Sequence, residues 1–111
     1  MDFNFTEDQE LFQKYVREFC QEELAPEYLK RAKQEKFNPD IIKKLAEFGL
    51  FGFGVPEEYG GQGEMDYIAL GIALEEIGRA DFSSGYTVLT AGLIQQILCN
   101  YASETVKDKY L

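Results

Sequence analysis

The sequence predicts an all-α fold, a bundle of about five or six helices in an orthogonal or up-and-down arrangement. Three observations predict it. Helix-capping residues recur along the chain at Thr6, Asn38, Asp66, Asp81 and Ser103. Apolar residues between them repeat at helical spacing. One stretch alone breaks the helical reading: Leu50 to Gly63, where five of fourteen residues are glycine. At 111 residues, 45 % of them hydrophobic, residues 1–111 make one domain at most with enough apolar material for a core.

The first helix opens on a capping box, Thr6-Glu7-Asp8-Gln9, with acidic residues in its first turn as the helix dipole favours. Leu11, Phe12, Tyr15, Val16, Phe19 and Cys20 then form one apolar stripe that ends near Leu24. Pro26 interrupts it and suits the first turn of a shorter, charged helix from Glu27 to about Glu35. Lys30, Arg31, Lys33 and Lys36 form the most basic patch of the chain and read as a solvated face.

Asn38-Pro39 starts the next helix, with Ile41, Ile42, Leu45, Ala46 and Phe48 as its buried face and Gly49 as a left-handed cap. In the glycine-rich loop the alternation of Phe51, Phe53 and Val55 predicts an extended, partly buried run, followed by a turn at Tyr59-Gly60-Gly61. Asp66 caps a helix from Tyr67 to about Ala80. Asp81 or Ser83 starts another that runs to about Tyr101, and Ser103-Glu104 caps a last short helix.

Charge distribution is the unusual feature. No Asp, Glu, Lys or Arg occurs from Phe82 to Ser103. A membrane span needs about 20 mostly apolar residues, and Ser83, Ser84, Gly85, Thr87, Thr90, Gly92, Gln95 and Gln96 interrupt this one. A helix without charge on any face reads instead as a central element, part of whose surface meets another domain, another subunit or a ligand.

Several kinds of chemistry are excluded. There is no histidine, which removes His-dependent triads and mixed zinc sites, and two isolated cysteines, Cys20 and Cys99, read as free buried thiols in a reducing compartment. No metal site is expected. A formal charge of −9 argues against a nucleic-acid partner. Gly52-Phe53-Gly54 and Gly60-Gly61-Gln62-Gly63 lack the pattern of a phosphate cradle, and the pairs Glu57-Glu58 and Glu75-Glu76 do not converge as acid and base. Glu75 with Arg79 reads as an i,i+4 ion pair. With no basic and apolar leader after Met1, the expected location is cytoplasmic.

Taken together, the motifs resemble the N-terminal helical domain of the acyl-CoA dehydrogenases, flavoenzymes that oxidise the α,β carbon–carbon bond of acyl thioesters. Carrying the resemblance are Thr6-x-x-Gln9, Val16-Arg17-x-Phe19, Leu24-Ala25-Pro26, Leu45-Ala46-x-x-Gly49-Leu50-x-Gly52, Val55-Pro56-Glu57-Glu58-Tyr59-Gly60-Gly61-x-Gly63, Glu75-Glu76-Ile77-Gly78-Arg79-Ala80-Asp81 and Lys109-Tyr110-Leu111. They span the chain in the family's order.

The resemblance implies that a middle β domain and a second helical domain follow, holding most FAD contacts and the glutamate that abstracts the α proton. Residues 1–111 would then contain no catalytic residue, bind no FAD alone and be inactive alone. It further implies an acyl-CoA substrate, contact with the remaining domains and assembly as a homo-oligomer, often a tetramer. By matching from Tyr110-Leu111 back to Asp81, it points to Gly85, Val88, Leu89, Thr90 and Leu93 as a wall of the acyl-chain pocket, where Gly85 and Gly92 leave room for an apolar tail. The loop would shape the pocket rim. An acyl-CoA oxidase, an enoyl-CoA reductase run in reverse or a nitroalkane oxidase would share this domain, and a stand-alone helical interaction module is the non-enzymatic alternative.

Overall fold

A computed structural model describes residues 2–111. It contains six α-helices: α1 (Glu7–Glu23), α2 (Tyr28–Ala32), α3 (Pro39–Phe48), α4 (Tyr67–Ala80), α5 (Phe82–Tyr101) and α6 (Glu104–Tyr110). Short 3-10 turns occupy Ala25–Glu27 and Glu57–Tyr59, and there is no strand among the described residues. Each helix start follows from a local side chain. Thr6 and Gln9 complete a reciprocal capping box on α1, Asn38 accepts from the Asp40 amide at 2.9 Å, Asp66 from Ala69 at 3.0 Å, and Ser103 from Val106 at 3.3 Å. Asp81, rather than Ser83, caps α5, accepting from the amides of Ser83 and Ser84. The charged second helix is shorter than its sequence suggests: the turn after Leu24 is 3-10, and α2 stops at Ala32.

The domain is a slab of about 45 × 40 × 20 Å, little more than two helices thick. Its middle element is α4, which packs against both α1 and α5 and buries Ile72, Ala73, Glu76, Ile77 and Ala80. This corrects the expectation that the uncharged helix is the central one. In a slab this thin α5 reaches the core only through Ser84, Gly85 and Val88. The apolar stripes are likewise narrower than expected. On α1, Val16 and Cys20 are buried while Leu11 and Tyr15 are exposed; on α3, Ile41 and Leu45 are buried while Ile42, Ala46 and Phe48 are exposed, with Phe48 stacked on Phe19 at 4.6 Å.

Two ion pairs, each with a buried carboxylate, tie distant segments together. Glu76, 2 % exposed, receives Arg17 from α1, whose Nε lies 3.2 Å from both carboxylate oxygens and whose second guanidinium nitrogen lies 2.8 Å from Oε1. These hydrogen bonds, then the carboxylate's charge, raise the Arg17 pKa further above its ordinary value. Arg31 leaves the basic face assigned to it and turns inward, donating through two nitrogens to Asp81 Oδ2, at 3.2 and 3.1 Å, and also to the Leu24 carbonyl. Glu75 and Arg79 stand exposed with no ion pair between them.

The glycine-rich loop folds on itself and is latched to α5 and α6. After α3, Gly49 takes a left-handed conformation (φ +94°), and the Leu50 amide reaches back to the Leu45 carbonyl at 3.1 Å in a Schellman motif that buries Leu50. Phe53 and Val55 are buried and Phe51 half-buried. The amides of Gln62 and Gly63 donate to the Gly52 and Val55 carbonyls at 2.9 Å, so the loop offers no free amide cradle there. Gln96 donates from α5 to the Gly54 carbonyl at 2.9 Å, and the Tyr59 hydroxyl to Glu104 at 3.3 Å. A side chain at Gly61 would overlap the Val55 carbonyl, whereas Gly60 faces open space at φ +84°. Gly61→Ala is therefore expected to destabilise the protein by roughly 1–3 kcal/mol through overpacking against backbone. Gly60→Ala carries only the left-handed backbone cost of about 1–2 kcal/mol. Urea unfolding of the two variants compares them, and a Gly61→Ala protein as stable as wild type would mean that the loop simply opens.

Both cysteines are free; Cys20 is fully buried, Cys99 half-buried rather than buried. Burial pushes the Cys20 thiol up to about 12, with the nearby Glu76 charge adding to it. Folded protein thus holds this proton where unfolded chain releases it. Stability from this group is complete below the ordinary value of 9.0 and falls as pH rises through the window to about 12. Alkaline melting of wild type against Cys20→Ala measures this: the wild type should lose more stability over that window, and equal slopes would assign the loss elsewhere. A thiol reagent at neutral pH should label Cys99 well before Cys20.

Candidate functional site

Two helix faces meet at Gly78 of α4 and Gly85 of α5. A Cβ built on Gly85 would stand 3.2 Å from both the Cα and the nitrogen of Gly78, so the close approach of the two helices favours glycine there. Beside this crossing lies an apolar groove of about 170 Å³, lined by Leu74, Gly78, Phe82, Gly85, Tyr86 and Leu89. Only the Tyr86 hydroxyl among these side chains is polar.

The five residues singled out in the sequence occupy different places. Gly85 and Leu89 line the groove, Gly85 buried and Leu89 half-exposed at 50 %. Leu93 lies one turn beyond Leu89 on the same exposed face. Val88 points the other way and belongs to the core with Ile77 and Ala73. Thr90 is half-buried, its hydroxyl donating to the Tyr86 carbonyl at 2.8 Å. Gly92, unlike Gly85, has nothing within 4 Å of a built Cβ. Sequence reasoning missed Leu74, Gly78, Phe82 and Tyr86; the absence of charge in YIALGIAL and in α5 was the signal, but which residues face each other depends on the helix crossing.

The groove opens onto a larger exposed apolar face. Phe82, Tyr86, Leu89, Leu93 and Ile97 follow one another at three- and four-residue spacing, all half-exposed or more. A soluble monomer rarely leaves such a contiguous stripe uncovered. No helix among the described residues is long and apolar enough to cross a membrane. Nor do three His, Cys, Asp or Glu side chains among them come together as metal ligands.

Residues 6–111 match the family model described as the N-terminal domain of acyl-CoA dehydrogenase. The chain belongs to the acyl-CoA dehydrogenase family. Over its whole length it is 35 % identical to the short-chain specific acyl-CoA dehydrogenase of Clostridium acetobutylicum, of which it spans 29 %. It is also 35 % identical to the acryloyl-CoA reductase (NADH) of Anaerotignum propionicum, spanning 28 % of that protein. The solved butyryl-CoA dehydrogenase of Megasphaera elsdenii superimposes on all of this chain with a TM-score of 0.84 and 29 % identity, across 30 % of its own chain. The chain thus spans less than a third of the length of the relatives it matches.

Two further concavities are open and of mixed charge: one of about 250 Å³ beside Arg31, and one of about 380 Å³ between α1 and α3, where Glu23, Glu27, Asp40 and Glu47 stand with Arg31, Lys43 and Lys44.

Proposed function

We propose that residues 1–111 are the N-terminal helical domain of a larger FAD-dependent acyl-CoA dehydrogenase, which oxidises the α,β carbon–carbon bond of an acyl-CoA thioester. In this reading the domain supplies no catalytic residue and no flavin contact sufficient for binding. Its part is one wall of the acyl-chain pocket, formed by Gly85, Leu89 and Leu93, with Val88 and Thr90 supporting the helix that carries them. The observation that carries the reading is the charge-free, exposed face of α5 with its apolar groove, in a chain that aligns end to end with acyl-CoA enzymes. An apolar face of this kind accepts a hydrocarbon tail without desolvating any charge. The rest of the enzyme and the neighbouring subunits of a homo-oligomer, a tetramer by family habit, would cover what the tail leaves exposed, and the glycine-rich loop would form part of the rim.

The test is made on the protein as its own source produces it. Its native mass should be several-fold above the 12.7 kDa of residues 1–111. The purified protein should carry flavin and oxidise members of a saturated acyl-CoA series with an artificial electron acceptor. A native product of 12.7 kDa would replace this reading with a helical interaction module; a full-length, flavin-loaded protein that oxidises no acyl-CoA would remove the activity. The similarity to an acryloyl-CoA reductase favours one second reading, reduction of an enoyl-CoA by the same scaffold. Running the assay with an enoyl-CoA and a reduced electron donor separates the two directions.

A further inference from the structure

Gly78 is a glycine that its own helix does not explain. It lies inside α4 with ordinary helical backbone, not among the glycines of positive φ, where alanine is the more favourable residue. A Cβ built on it would meet no atom within 4 Å. Across the seam, Gly85 is different, since its Cβ would press on the Gly78 backbone. Neither backbone conformation nor packing inside the domain therefore calls for glycine at position 78. What a side chain there would do is occupy open space in the groove that Leu74, Phe82, Tyr86 and Leu89 enclose.

We propose that Gly78 is a specificity-determining residue: the notch above it receives the methyl end of the acyl tail, and the size of the residue at 78 sets the longest tail accepted. This rests on the reading of the groove as an acyl-chain wall. The uncharged lining suits a neutral hydrocarbon end. The notch lies on the α4 side of the groove, opposite Leu89, so the two residues limit the space from separate helices.

The experiment uses the full-length enzyme and measures kcat/KM for straight-chain substrates from butyryl-CoA to dodecanoyl-CoA, with the melting temperature of each variant alongside. Gly78→Leu is expected to lower kcat/KM for the longest tail that wild type accepts by about tenfold or more relative to butyryl-CoA, because a few methylenes of pocket are lost. Gly78→Ala should shift the profile less, in the same direction, and melt no lower than wild type. Should Gly78→Leu fail to fold, Gly78→Ala and Gly78→Ser carry the comparison. A profile that stays flat, or falls by one factor at every length, while Leu89→Trp still shifts it, overturns the role of Gly78 and leaves the groove reading standing. Flat profiles for both residues overturn the groove reading and this inference with it.

Discussion

Asp81→Ala is expected to cost about 3–5 kcal/mol of stability, the effect of removing one partner from a buried, hydrogen-bonded ion pair. Domains of this kind are stable by only about 5–15 kcal/mol in total, so the variant should melt far earlier than wild type. The reason is the number of groups that converge on one carboxylate. Its Oδ2 accepts from Arg31 and from the Ser84 hydroxyl at 3.0 Å, and its Oδ1 from the two amides that begin α5. Arg31 and Asp81 are 12 % and 5 % exposed, so water does not readily replace the lost partner. Asp81→Asn keeps the Oδ1 acceptor and gives up the charge, and should fall between wild type and Asp81→Ala. Urea denaturation of the three proteins decides it; a loss below about 1 kcal/mol for Asp81→Ala, the value of a cap alone, would show that Arg31 finds solvent.

The largest effect on activity is expected from Leu89→Trp in the full-length enzyme. Leu89 is half-exposed on the groove and is not a member of the buried cluster that Val88 joins. Indole at this point shortens the pocket without filling the core. Selectivity should move towards shorter acyl groups, with kcat/KM for long tails falling about tenfold or more against short ones. Val88→Trp is the contrasting variant. Its side chain would enter the α4 seam and lower stability by overpacking. If Leu89→Trp left the chain-length profile of a folded enzyme unchanged, the exposed face of α5 would be covered by protein and not by substrate.

Much of the fold was legible because it is local. Thr6, Asn38, Asp66 and Ser103 each satisfy an amide two or three residues ahead, and such bonds form wherever the residue types stand at that spacing. The loop read correctly at Phe53 and Val55 for the same reason, and most of the family motifs lie where helices and turns begin and end. The readings that failed concern faces and partners. Ile42, Ala46 and Phe48 belong to an apolar pattern but stand exposed, because α3 lies at the edge of a slab only 20 Å thick. Arg31 sat among lysines in sequence, and nothing local marked it as the one that turns inward.

By itself, the sequence determined an all-α domain of about five or six helices, most of their caps, the looped break at Leu50 to Gly63, the charge-free stretch and the family. Tertiary structure alone decided that α4 and not α5 is the middle helix, that Glu76 answers Arg17 across 59 residues, that Asp81 answers Arg31 across 50, and that Leu74 and Gly78 share a groove with Leu89. The division has one physical cause. Capping and helical periodicity act over about four residues, whereas buried pairs and grooves exist only after helices cross, and the crossing here is fixed by how closely Gly85 lets α5 approach Gly78.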